Sequence, residues 1–103
     1  MAIETLNPST EELVKSFIPL SNNEIKIIIE DVHNNFLSWR NTSFDERKKL
    51  MLNAAHILRS QKQKYAEILT LEMGKPITQA VTEVEKCAWV CEYYAENAES
   101  IFE

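Results

Sequence analysis

Glycine is almost absent from this chain: Gly74 is the only one in 103 residues. A glycine-rich dinucleotide turn is therefore excluded, because close backbone approach to a pyrophosphate needs several glycines. Lys75 follows Gly74, but a Walker loop also needs an earlier glycine and a Ser or Thr after the lysine, and both are missing. Cysteine is scarce as well. Cys87 and Cys91 stand four apart in a helical pattern. That spacing separates β-carbons by about 6 Å, against roughly 3.8 Å in a disulfide. Reduced thiols are expected, which fits a cytosolic setting. A basic excess is also lacking. The net charge is −5 and the pI near 5.1, which argues against a generic nucleic-acid or anionic-membrane binder. No apolar run approaches the roughly 20 residues of a membrane span. Residues 1–8 carry neither a basic nor an apolar leader region, so the cytoplasm is the expected location.

Apolar residues make up 45% of the chain, an ordinary globular fraction. The length allows one domain at most. The first twenty residues differ from the rest. Ile3 to Leu6 alternates and tolerates a strand, Asn7-Pro8-Ser9-Thr10 is turn chemistry, and Leu13 to Ile18 reads as a second strand ended by Pro19. A lone hairpin is marginal in water, so this arm is expected to pair with more protein or another copy.

From Ser21 onward the pattern is helical. Ser21-Asn22-Asn23-Glu24 and Ser43-Phe44-Asp45-Glu46 are capping boxes, and Ser60-Gln61-Lys62-Gln63 is a third that uses glutamine. They predict helices from about Asn22 to Trp39, from Ser43 onward, and from Ser60 to Gly74. Gly74 suits the left-handed close of a helix, and Pro76 the first turn of the next. A stripe of about seven turns then runs from Ile77 to Phe102 through Ala80, Val84, Cys87, Ala88, Cys91 and Ala95. Its small residues permit close helix approach. It reaches Glu103 without a capping signal and reads as a truncated helix.

Chemistry-bearing residues are few. A tetrahedral site built from Cys87, Cys91, His33 and His56 lacks the usual Cys-x-x-Cys spacing. Nucleophilic work needs a depressed thiol pKa, and both cysteines lie mid-helix, away from a helix N-terminus. The simpler reading is two small apolar residues on a buried stripe. His33 and His56 each stand alone, without an acid–base partner. Arg47-Lys48-Lys49 reads as a solvated helix face. Trp89, Tyr93 and Tyr94 point to several sides of the last helix, so a complete domain would leave some of them exposed.

The order of several segments resembles the start of the aldehyde dehydrogenase superfamily. Leu71-Glu72-Met73-Gly74-Lys75-Pro76 is similar to its Leu-Glu-x-Gly-Lys-Pro corner. Asn7-Pro8-Ser9-Thr10 resembles its Asn-Pro-Ala-Thr-Gly opening, with Glu11-Glu12 where the family has Gly-Glu, which predicts a looser or longer turn. Phe36-Leu37-Ser38-Trp39-Arg40 resembles its Phe-x-x-Trp-Arg segment, and Phe44-Asp45-Glu46-Arg47 its Ser-x-x-Glu-Arg helix start. Residues 80–98, with Tyr93-Tyr94-Ala95-Glu96, look most like the succinate-semialdehyde dehydrogenase branch.

The resemblance implies a mainly α segment of an α/β cofactor-binding domain, with a β-hairpin arm at 1–20 and four helices at 21–103. It implies oxidation of an aldehyde, succinate semialdehyde in that branch, with NAD or NADP in the full-length enzyme. A cysteine thiolate, a glutamate base and an oxyanion site do that work. None matches a residue here, so no catalytic and no cofactor-binding residue is assigned, and this chain alone is expected to be inactive. The resemblance makes Cys87 and Cys91 candidates for the substrate-tunnel wall, and Glu72 a candidate neighbour of a monovalent cation. The implied partners are the rest of the dehydrogenase chain and further copies in a homo-oligomer, with no nucleic acid and no membrane. The alternative is a stand-alone helical interaction module that docks through its hairpin edge or long apolar stripe.

Overall fold

A computed structural model describes residues 2–102, so the predicted uncapped end at Glu103 lies outside the described residues. Strand β1 (Ile3–Leu6) pairs antiparallel with β2 (Leu13–Phe17). The register runs Ile3 to Phe17, Glu4 to Ser16, Thr5 to Lys15 and Leu6 to Leu13, which leaves Val14 as a bulge residue. The connecting turn is tight rather than loose. The Asn7 side chain accepts from Ser9 N–H at 2.9 Å, an Asx turn. The Asn7 N–H donates to the Glu12 carbonyl at 2.9 Å, and the Glu11 N–H to the Asn7 carbonyl at 2.7 Å. The expected looseness is replaced by strain at one residue: Glu11 adopts φ +62°. A left-handed conformation is where a glycine would sit freely.

Helices α1 (Asn22–Trp39) and α2 (Phe44–Ser60) both start from complete capping boxes. In each, the serine N–H donates to the glutamate carboxylate, at 2.7 Å for Ser21 and 2.8 Å for Ser43. Those backbone bonds, helped by the serine hydroxyls, hold the Glu24 and Glu46 carboxyls below the usual carboxylate range. The third box does not form. Ser60 is still the last residue of α2, and its hydroxyl bonds back to the Ile57 carbonyl at 3.1 Å. Helix α3 (Lys62–Met73) starts from Gln61 without a side-chain cap, and Gln63 bonds to Glu67 instead.

Gly74 closes α3 at φ +71°, with its N–H donating to the Thr70 carbonyl at 3.0 Å. Helix α4 (Ile77–Ile101) follows. Pro76 is the cap before it, one position earlier than the predicted first-turn site, because its ψ of 135° is extended.

Helix α4 is the spine, and α2 and α3 pack along it. The buried core is Ala55, Ala66, Ala80, Val84 and Ala88, four alanines and one valine. Alanine at these crossings lets the helix backbones approach closely, and Leu58, Tyr65, Leu69 and Val81 close around Ala66, Ala80 and Val84. The predicted stripe is thus buried only in part: Cys87, Tyr94, Ile101 and Phe102 are exposed. Helix α1 buries no residue and makes only slight contact with the rest. Ile28, Ile29, Val32 and Phe36 remain open to solvent on it. The accessible surface is 8345 Å², where a compact 12.0 kDa monomer exposes about 6,000 Å². The Cα radius of gyration is 17.9 Å, against about 13 Å for a compact chain of this length.

Candidate functional site

One face of α4 turns away from α2 and α3 and forms an open groove of about 870 Å³. The 3.6-residue period places Lys75, Thr78, Gln79, Thr82, Glu83, Lys86, Cys87, Val90 and Cys91 along it. Both tunnel-wall candidates are therefore on this groove, Cys87 exposed and Cys91 half-buried, both as free thiols. The reading of the pair as core residues is corrected. Ala80, Val84 and Ala88 take the packed face, and the cysteines fall on the next face round. At the mouth of the groove Lys75 pairs with Glu83, tying the corner to the second turn of α4.

The opposite side of α4 carries a charge clasp. Arg59 of α2 pairs with Glu92 and, at 3.4 Å, with Glu85, while Lys62 of α3 reaches Glu85 at 2.8 Å. The hydrogen bond to Glu92 raises the Arg59 guanidinium above its ordinary value. The Lys62 hydrogen bond, with Arg59 adding, holds the Glu85 carboxyl below the usual range. The side chains of the clasp stay between a third and a half exposed, so it sets register more than stability. Sequence reading missed it. The available signal was Glu85 and Glu92, seven residues apart and so on one helix face.

At the corner, the hairpin turn comes down on Gly74. A β-carbon added there would lie 3.4 Å from Pro8 Cβ. Asn7 and Ser9 line a small cleft with Glu67, Thr70, Leu71 and Ile77. The two segments that resembled the family opening and the family corner thus meet in space.

The remaining candidates are dispersed. Glu72 is half-buried near the end of α3. His33 is exposed on α1, its ring tilted against Phe36 at 6.4 Å, and His56 is exposed on α2. Among the described residues no three His, Cys, Asp or Glu side chains converge in a way that would hold a metal. Arg47 departs from the expected solvated face. It lies 5.3 Å over the Trp39 ring and donates to Thr42 Oγ1 at 2.8 Å and to the Trp39 carbonyl at 3.1 Å. It closes the end of α1 and the start of α2, beside an apolar cleft of about 420 Å³ lined by Phe44, Met51, Tyr94 and Phe102. Trp89, Tyr93 and Tyr94 are all exposed on α4.

A dinucleotide does not fit these residues. The sheet of the described residues is one antiparallel hairpin, and the lone glycine ends a helix rather than opening one. No helix among the described residues is long and apolar enough to cross a membrane.

Comparison with known proteins agrees with this arrangement. The sequence matches the aldehyde dehydrogenase family over residues 1–103. It is 42% identical over 99 residues to a probable NADP(+) succinate-semialdehyde dehydrogenase of Synechocystis, covering 96% of this chain and 22% of that protein. It is 40% identical over 101 residues to NADP(+) succinate-semialdehyde dehydrogenase 1 of Mycobacterium tuberculosis, covering 98% and 22%. The fold superposes on the succinic semialdehyde dehydrogenase of Streptococcus pyogenes in complex with NADP+ with a TM-score of 0.88, at 36% identity, over 94% of this chain and 22% of that one. For the glyceraldehyde-3-phosphate dehydrogenase of Methanocaldococcus jannaschii complexed with NADP, the TM-score is 0.89 at 28% identity, over 94% and 21%. The chain thus spans about a fifth of the length of the relatives it matches. With the hairpin, the glycine corner and the α4 spine in one arrangement, this chain belongs to the aldehyde dehydrogenase family, as its N-terminal segment.

Proposed function

We propose that this chain serves as the N-terminal part of a cytoplasmic, homo-oligomeric NAD(P)-dependent enzyme that oxidises succinate semialdehyde to succinate, and that alone it has no such activity. The observation that carries the reading is the identity of 40–42% to succinate-semialdehyde dehydrogenases along nearly the whole chain, over only 22% of their length. The surface supports it. An exposed area about 2,300 Å² above the compact expectation is what a layer has when most of its covering protein is elsewhere. In this reading α2, α3 and α4 are an outer helical layer, and the α4 groove with Cys87 and Cys91 is a wall of the substrate passage. Glu72 near the corner is a proposed neighbour of a monovalent cation.

Fragment complementation tests it. The 103-residue chain is co-expressed with the remaining four-fifths of the Synechocystis relative and assayed with succinate semialdehyde and each nicotinamide cofactor. Reduced cofactor is expected from the pair, and neither turnover nor cofactor binding from the chain alone. Turnover by the chain alone, or micromolar NAD or NADP binding in calorimetry, contradicts the proposal. A complemented enzyme that prefers an uncharged aldehyde contradicts the substrate assignment.

A further inference from the structure

We propose that Cys87 and Cys91 form a two-coordinate site for a soft monovalent cation, Cu(I), on the open face of α4. The inference uses only the thiol pair and does not depend on the proposed activity. Both thiols are free, both line the same groove, and neither belongs to the packed alanine face. Four residues apart on a helix, their β-carbons stand about 5–6 Å from one another. A direct S–S bond wants roughly 3.5–4.5 Å, so oxidation to a disulfide strains the helix. A single atom held between the two sulfurs relieves that mismatch and leaves the helix intact. Soft thiolates select Cu(I), whereas zinc asks for four ligands, and no third His, Cys, Asp or Glu among the described residues converges here.

Binding displaces both thiol protons to solvent: two thiols and Cu(I) give one bis-thiolate cuprous complex and two protons, with no change in oxidation state. The complex carries one negative charge. The groove meets it with Lys75, already paired with Glu83, and with Lys86, which forms no ion pair among the described residues.

The test titrates the reduced, purified chain against the coloured Cu(I) complex of bathocuproine disulfonate under anaerobic reductant. One Cu(I) per chain is expected to be withdrawn, with helix content by circular dichroism unchanged. Cys87→Ser and Cys91→Ser are each expected to weaken binding at least 100-fold. A relocated pair, Cys91→Ser with Trp89→Cys, keeps two thiols but sets them two apart, off a common face, and is expected to lose binding to the same extent. No withdrawal of copper, equal binding by a single-cysteine variant, equal binding by the relocated pair, or one copper per two chains would each overturn the proposal.

Discussion

Helices α1 and α4 look alike in sequence and differ in the fold. Both carry apolar residues at helical spacing, and α1 has the larger side chains. Yet α4 buries Ala80, Val84 and Ala88, whereas α1 buries nothing. Val32 on α1 is 62% exposed and Val84 on α4 is 4% exposed. The difference lies in what faces each helix. Ala80 and Val84 of α4 pack against Ala66 of α3, and α2, with its buried Ala55, runs along the same helix, so backbones approach and exclude water. The isoleucines of α1 meet nothing of comparable area within this chain. Periodicity reports that a helix has an apolar face; it does not report whether the covering surface belongs to the same stretch of sequence.

The largest expected effect breaks the packed side. Ala80→Leu forces a branched side chain into a contact with no free volume and should cost ~1–3 kcal/mol in urea denaturation. Ile28→Ala on α1 should change stability by less than about 0.5 kcal/mol in the same chain. Equal costs would erase the contrast between the helices.

Gly74→Ala comes next. The backbone is left-handed there and Pro8 sits 3.4 Å from the new β-carbon, so a loss of roughly 1 kcal/mol or more is expected. Of similar size is the loss of a formed cap. Ser43→Ala should cost about 1 kcal/mol, while Ser60→Ala, whose hydroxyl caps nothing, should be close to neutral. A thermal shift for Ser60→Ala as large as that for Ser43→Ala would contradict the assignment of Gln61 as the α3 start.

Glu11→Gly has the opposite sign. It relieves a left-handed cost of roughly 1–2 kcal/mol and adds a glycine entropy cost of roughly 0.5–1 kcal/mol. A small gain is expected, read as a higher midpoint in urea.

Acid gives the last test. The carboxyls of Glu24, Glu46 and Glu85 are held below their ordinary 4.5 in the fold. The unfolded chain therefore binds more protons than the fold near that pH. Their contribution is complete above about pH 4.5 and fades as pH falls through the lowered values. Urea midpoints that stay flat from pH 6 down to pH 3 would contradict those partners.

Much of the fold was legible because local chemistry sets it. Ser21 with Glu24 and Ser43 with Glu46 mark two helix starts, and an isolated glycine before a proline marks the corner. What was not legible depends on neighbours. Ser60 and Gln63 have the spacing of a box, but α2 runs through Ser60 and uses its hydroxyl first. Cys87 shares the period of the α4 stripe, yet only contact with α2 and α3 decides which arc of that stripe is covered. Arg47 looked solvated until Trp39 and Thr42, in the preceding helix and connection, gave it partners. Glu11 carried the strain of a turn whose backbone bonds survive without glycine. Of the candidate site, the two cysteines were legible as a pair on one face, and their accessibility was not.

Native-state hydrogen exchange on the dilute, isolated chain separates the two helices. The α4 amides from Val81 to Ala88 are expected to exchange only by global opening and to be the most protected. The mid-helix amides of α1, from Ile28 to Phe36, are expected to exchange by local opening with far smaller protection. Protection in α1 equal to that in α4, at a concentration where the chain is monomeric by sedimentation, would show that α1 is held by this chain alone and would contradict that contrast.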